Sequence, residues 1–229
     1  MLLKTYKQIK CSTCKVKSQS LINQLTNSEL SELEENRGGS YYKRNDALFV
    51  EGSYPRGVFC LNQGKVKIFT RGDEGKEQII HIATPGEIIG FRAMLSGDPY
   101  RVSAETLEEC TICFIGKDEF FKLIDSNTEF RNDIIRGLSK ELGERAVSIT
   151  DMAQKSVRER LASSLLQLQE IYGNDPINLS REDLANYVGT ATETLIRFLK
   201  EFKEDGLIEI RTRKVFVLNV KKLHQIAGK

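Results

Sequence analysis

Apolar and polar positions along the chain fall into three regimes. Between residues 26 and 36, Leu30 and Leu33 stand three apart behind Thr26 and Glu29, whose spacing predicts a helix opened by a capping box. From about Tyr41 to Ile115 the pattern shortens into β-rich runs: Ala47–Val50, Val58–Leu61, Lys65–Thr70, Gln78–Ile82, Val102–Thr106 and Thr111–Ile115. Glycine-bearing turns such as Asn62-Gln63-Gly64 and Thr84-Pro85-Gly86-Glu87 separate them. Many short strands at near-regular spacing predict a jelly roll or sandwich. From Lys117 onward the period is helical. Asp118–Leu123 predicts a short helix, and Glu129 to about Met152 a long one. The long helix carries Ile134, Leu138, Leu142 and Ile149 in a narrow stripe completed by Ala146 and Met152. Charges at Arg136, Lys140, Glu141, Glu144 and Arg145 flank it, a pattern that fits a coiled-coil seam between two copies and equally a helix packed on its own domain. Another amphipathic helix runs from Ser156 to Tyr172. The chain thus reads as an α+β protein in three parts. Residues 1–116 form an N-terminal segment and β-roll, 117–153 a short helix and a dimerisation helix, and 154–229 a C-terminal helical unit.

The most informative stretch is Ser180 to Gly206. Ser180 followed by Asp183 marks a helix start, with Leu184, Ala185 and Val188 as its apolar face. Gly189 supplies a left-handed turn, and Thr190 with Glu193 reads as a second capping box opening the next helix. Leu195, Phe198, Leu199 and Phe202 give that helix its inner face. A small residue for close approach, a glycine four positions on and a leucine to lock the second helix together point to a helix-turn-helix. Thr192, Glu193, Ile196 and Arg197 then lie on the outer face near the N-terminus, where a recognition helix meets base edges. Arginine suits guanine O6 and N7, and glutamate suits cytosine N4. The alternative is plainer: Glu193 caps its helix, and Arg197 makes an i,i+4 ion pair with it. Two further β runs, Leu207–Ile210 and Val215–Leu218, are joined by Arg211-Thr212-Arg213-Lys214 and read as a wing. Its basic turn can reach the DNA backbone, with Ser180, Thr190 and Thr194 as further candidates for phosphate contacts.

Composition changes the picture little. The 229 residues are 40% hydrophobic and 29% charged, with a net charge of only +2, so bulk charge does not announce a nucleic-acid ligand. The basic residues Arg211, Arg213, Lys214, Lys221 and Lys222 nevertheless fall close together in sequence. No apolar run approaches the ~18–20 residues that cross a membrane. Met1–Lys10 carries lysines and no apolar core of a secretory signal. A cytoplasmic protein is expected, in which the five cysteines are poor disulfide candidates. Two histidines are too few for the several His/Glu ligands of a cupin-like metal site, the main competing reading of the roll. No nucleophile–base constellation appears, and no enzyme activity is expected.

The run Gly189–Ile208, of the form GxxxETLxRxLKxFxxxGLI, and the stretch Thr84–Phe91, TPGEIIGF, resemble the CRP/FNR family of the cyclic-AMP receptor protein and the fumarate–nitrate reduction regulator. The resemblance covers essentially the whole chain. It implies a cyclic-nucleotide-binding-like β-roll, a long dimerisation helix and a C-terminal winged helix-turn-helix in each subunit of a homodimer. It also implies a two-fold symmetric double-stranded DNA site, contact with RNA polymerase, and no membrane. Glu193 and Arg197 stand where the family reads a TGA-type half-site core.

The resemblance leaves the effector open. Effector-pocket candidates are Gly90, Phe91, Arg92, Tyr100 and Arg101. The cyclic-AMP-binding branch has a glutamate at the position of Phe91 and an Arg-Ser pair at Tyr100–Arg101, so the resemblance argues against cyclic AMP. The oxygen-sensing branch holds an iron–sulfur cluster on four cysteines. Cys11, Cys14 and Cys113 match three of them, and Ser20 replaces the other; Cys60 or Cys110 could substitute, though neither lies in the N-terminal segment. A zinc site, a redox pair or unliganded thiols are the alternatives. Haem would draw on His81.

Overall fold

The structure, a computed structural model, describes residues 14–36 and 38–228. Cys11 lies outside them. Two 3-10 turns, Lys17–Gln19 and Leu21–Gln24, lead into α1 (Asn27–Asn36). The capping box forms as the sequence predicts: Glu29 N donates to Thr26 Oγ1 at 3.3 Å, and Thr26 N donates to Glu29 Oε2 at 2.7 Å.

Eight strands follow: β1 (Gly38–Tyr42), β2 (Ala47–Phe49), β3 (Gly57–Gln63), β4 (Val66–Arg71), β5 (Glu77–Ala83), β6 (Ile88–Ile89), β7 (Ser103–Thr106) and β8 (Cys110–Gly116). They form two four-stranded sheets, ordered β1-β8-β3-β6 and β2-β7-β4-β5. This is the expected roll. The hydrophobicity pattern had passed over β1, whose Gly-Gly-Ser start lacks an alternating signal, and the two-residue β6. Between β6 and β7, α2 (Phe91–Ser96) starts at Gly90, whose φ of 91° suits a residue without Cβ.

After the roll come α3 (Lys117–Ser126) and α4 (Thr128–Gln154). Among the described residues, chain contacts group those up to 70 with 81–142, and 71–80 with those from 143 onward. The core of the first unit lies between α1, α3, the start of α4 and one face of the β3–β8 sheet. Phe120, Phe130, Leu33, Val58 and Ile115 are almost completely buried there, and Phe120 and Phe130 meet edge to face at 6.2 Å.

This core corrects the predicted seam. Ile134 is 3% exposed and belongs to it, and Leu138 packs partly buried against it. The residue beside Ile134 takes its place in the stripe: Ile135, Leu142 and Ile149 are 54%, 73% and 70% exposed, each seven residues from the next. A step of one residue turns a helix by about 100°, so Ile134 and Ile135 serve different neighbours.

In the second unit, α5 (Val157–Tyr172) opens on Ser156, which forms a full capping box with Glu159. It is followed by α6 (Arg181–Val188), α7 (Thr192–Glu204), the hairpin β9 (Ile208–Arg211) and β10 (Lys214–Val217), and α8 (Val220–Ala227). Leu161, Leu165, Leu184, Leu195 and Phe202 form its buried centre. Residues 71–80 join this unit, where Gln78 Nε2 donates to the Asn186 carbonyl at 2.7 Å. Among the described residues no helix is long and apolar enough to cross a membrane.

Candidate functional site

Three residues set the ends of α6 and its turn into α7. Ser180 caps α6, its hydroxyl accepting from Asp183 N at 2.9 Å. Gly189 sits at φ 75°, ψ 49°, the left-handed conformation the sequence assigned it. The N–H groups of Gly189 and Thr190 both reach back to the Ala185 carbonyl, at 2.9 and 3.0 Å. Thr190 is therefore spent on ending α6. It is 8% exposed, and the cap of α7 is Ala191, without a side-chain bond. The predicted capping box at Thr190–Glu193 does not form, and the burial of Thr190 argues against its use as a phosphate contact. Glu193 is thus not engaged as a cap.

One residue that the sequence reading passed over holds this turn. Arg160 of α5 donates to three carbonyls: Nε to Val188 at 3.1 Å, Nη2 to Gly189 at 3.0 Å and Nη1 to Lys155 at 2.8 Å. A cation at the C-terminal end of α6 also faces the negative end of that helix dipole. Nothing in the local sequence signals it, because its partners lie 28 and 29 residues away.

With the turn fixed, α7 buries Leu195, Leu199 and Phe202 and turns the opposite face outward. Glu193, Ile196 and Arg197 are exposed, Ile196 by 51%, and Thr192 and Thr194 are half-buried. The Arg197 guanidinium lies 5.1 Å from the Phe198 ring centroid, which steadies it without taking up its donors. The i,i+4 ion pair between Arg197 and Glu193, the plainer alternative, does not form among the described residues. All four base-reading candidates thus share one accessible helix end.

The wing departs from the predicted four-residue turn. Arg211 pairs directly with Lys214, so the turn is the two residues Thr212 and Arg213, at φ 46° and 70°. Both lie in the left-handed region, as a type I′ hairpin turn demands, and neither is the glycine or asparagine that adopts it readily. Backbone strain of this kind collects at functional positions. Arg211 is drawn to Glu209 at 2.6 Å and lies over Phe216. Arg213 and Lys214 are exposed at the tip. Lys221 and Lys222, grouped with the wing by sequence, belong instead to α8.

Arg181, at the first position of α6, was not singled out by sequence either. Its Nη1 is buried and has no hydrogen-bond partner among the described residues. Burial and then the charge of Arg213 depress its pKa, so two arginines face each other with an acceptor missing. The signal was present: a cation at a helix N-terminus opposes the helix dipole and calls for another use.

In the roll, Gly90, Arg92, Tyr100 and Arg101 line a cavity of about 270 Å³ together with Phe49 and Ile68. Phe91, predicted for this pocket, packs against the core of the first unit. Tyr100 stacks on Phe49 with ring centroids 3.8 Å apart, and burial pushes its hydroxyl up to a pKa of about 12. The two arginines are not poised to receive a buried phosphate. Arg92 pairs with Glu141 at 3.3 Å, and the Arg101 side chain is 88% exposed near Asp98. The lining fits an apolar or aromatic ligand better than a cyclic phosphate, which would need a buried charge-assisted partner.

The donors for other cofactors are mixed. His81 Nε2 is engaged with Glu87 at 2.7 Å. Burial pushes the Glu87 carboxyl up, but its bonds to His81 and Thr84 outweigh this and hold its pKa below the ordinary value. His81 is therefore already committed, which does not fit an axial haem ligand. Cys14 and Cys113 do come together, lining one small apolar cavity with Ser20 and with Cys60, one of the two possible substitutes for the missing ligand. Among the described residues, no three His, Cys, Asp or Glu side chains are gathered closely enough to hold a metal ion. Cys11, the remaining cysteine of the predicted set, lies outside the described residues, and the thiol chemistry of the others suits a cluster or zinc.

The chain is similar to known proteins. A model described as a cyclic nucleotide-binding domain matches residues 40–127, and one described as a Crp-like helix-turn-helix domain matches residues 159–226. The chain is 28% identical over 229 residues to the transcriptional activator protein Anr of Pseudomonas aeruginosa, covering 96% of this chain and 93% of that one. It is 27% identical over 228 residues to the fumarate and nitrate reduction regulatory protein of Vibrio cholerae, covering 96% and 91%. The solved structure of FixK2 from Bradyrhizobium japonicum matches with a TM-score of 0.75 at 20% identity, over 83% of this chain and 96% of that one.

Proposed function

The chain belongs to the CRP/FNR family of DNA-binding transcription regulators, and we propose that it reads a two-fold symmetric site as a homodimer through the exposed end of α7. The observation that carries this reading is the accessible row Thr192, Glu193, Ile196 and Arg197 opposite the buried Leu195, Leu199 and Phe202. Arg197 donates to guanine O6 and N7, and Glu193 accepts from cytosine N4. Ser180, Thr194, Arg213 and Lys214 contact the backbone. Arg181 joins them: a phosphate oxygen supplies the acceptor that its buried Nη1 lacks and relieves its repulsion with Arg213. Arg211 contributes less, because Glu209 already neutralises it.

The exposed heptad Ile135, Leu142 and Ile149 forms the seam between two copies. An effector in the cavity beside Tyr100 shifts the packing of α4. That sets the separation of the two recognition helices, which must match major grooves about 34 Å apart. The ligand is apolar or aromatic rather than cyclic AMP, and the bound dimer contacts RNA polymerase in the cytoplasm. The role is regulatory rather than enzymatic.

Arg197→Ala tests the central contact. Binding to the selected operator should weaken by about 1–3 kcal/mol, on the order of 5- to 150-fold in Kd, while binding to random DNA stays nearly unchanged. If the variant discriminates operator from random DNA as wild type does, the readout assignment is wrong.

A further inference from the structure

Cys60 on β3 and Cys113 on β8 are partners in the antiparallel register, flanked by Phe59↔Phe114 and Leu61↔Ile112. Directly opposed residues in such a pair carry their side chains on the same face, with Cα atoms about 4.5–5.5 Å apart. A disulfide asks for Cα atoms about 4.4–6.8 Å apart, so the sheet already holds the two cysteines at bridging distance. Both are half-buried and line the same cavity, under the segment that carries Cys14, Ser20 and Ile22. None of Cys14, Cys60, Cys110 and Cys113 is in a disulfide.

The neighbouring thiols differ. Cys110 is buried, its pKa is pushed up to about 11 chiefly by that burial, and its sulfur sits against the Lys65 and Glu108 carbonyls. It is a packing residue. The Cys14 sulfur accepts from Asn62 Nδ2 at 3.0 Å, and Thr111 Oγ1 orients that amide by donating to Asn62 Oδ1 at 3.1 Å.

We propose that Cys60 and Cys113 are a cross-strand dithiol, a reversible modification site that a hydroperoxide oxidises to a disulfide. One thiolate attacks the terminal peroxide oxygen, breaking the O–O bond to give a sulfenic acid and, with a proton, the alcohol or water. The facing thiol then attacks that sulfur, forming the S–S bond and releasing water. The two sulfurs lose two electrons, and the peroxide gains them. The strands are already hydrogen-bonded to each other, so the bridge forms without drawing distant chain segments together. The proposal stands on the roll alone and is independent of the DNA-binding reading.

The test uses the full reduced chain. It is treated with a small excess of hydrogen peroxide, alkylated, digested without reductant and mapped by mass spectrometry. The expected product is a cross-linked pair of peptides containing Cys60 and Cys113, two hydrogens lighter than the sum and released by dithiothreitol. It should persist in Cys110→Ser and vanish in Cys60→Ser. The wild-type map alone decides the matter should a variant fail to fold. Two results overturn the proposal. In one, Cys60 and Cys113 remain fully alkylated while Cys11 and Cys14 become linked. In the other, both thiols of the untreated protein resist alkylation until a chelator is added, which would make them metal ligands.

Discussion

Replacing Arg160 with methionine keeps much of the aliphatic bulk of the side chain and removes the guanidinium that holds the helix-turn-helix in shape. Three carbonyls, those of Lys155, Val188 and Gly189, lose a donor at 2.8–3.1 Å. Hydrogen bonds to a charged group contribute about 1.5–3 kcal/mol each. Summing three would overstate the effect, because Arg160 is only half-buried and water can reach part of the vacated space. The Val188 and Gly189 carbonyls matter most, since they end α6 and have few alternatives. A net destabilisation of about 2–4 kcal/mol follows for the second unit, including up to about 1 kcal/mol from the helix dipole. Hydrogen exchange read by mass spectrometry on the α6–α7 peptides is the suitable assay, because it reports local opening without assuming that the whole chain unfolds in one step. Protection in those peptides should fall by roughly 30- to 1,000-fold, with the roll unchanged, at about 1.4 kcal/mol per tenfold. Arg160→Lys should recover only part of the loss, because an ammonium cannot span all three carbonyls. Wild-type protection in the methionine variant would refute the assignment of Arg160 as the clamp of the turn.

Other substitutions probe the remaining parts. Changing Thr212-Arg213 to Asn-Gly should raise stability by about 1 kcal/mol in urea denaturation, since both φ values are then unstrained, while weakening DNA binding at every sequence through the lost charge. A chain no more stable than wild type would remove the strain argument. Leu142→Glu should leave the fold intact and yield monomers by sedimentation, whereas Ile134→Ala should cost about 2–5 kcal/mol of stability without dissociating the dimer. The opposite pattern would restore Ile134 to the seam. Arg181→Gln should weaken specific and random DNA binding alike and reduce the slope of log K against log salt by about one. An unchanged slope would mean that its buried nitrogen faces no phosphate.

Local chemistry made much of this molecule legible. Strand alternation with glycine turns announced the roll, Ser180 with Asp183 and then Gly189 announced the helix-turn-helix, and the outer face of α7 follows from helical period alone. Each of these depends on residues within a turn or two of one another. Contacts across long separations were a different matter. Whether Ile134 or Ile135 faces outward depends on Phe120 and Phe130 claiming one of them for the core. The fate of Thr190 depends on a bond back to Ala185 that competes with starting a new helix. Cys60 met Cys113 only through strand pairing across 53 residues, Arg160 reached its carbonyls from another helix, and Phe91 turned to the core because Gly90 set the direction of α2. The sequence determined which elements form and which faces are apolar, since propensity and periodicity act over a few residues. The folded chain decided which apolar residue is spent on which neighbour, because burial and donor satisfaction are settled only when distant segments compete for the same space.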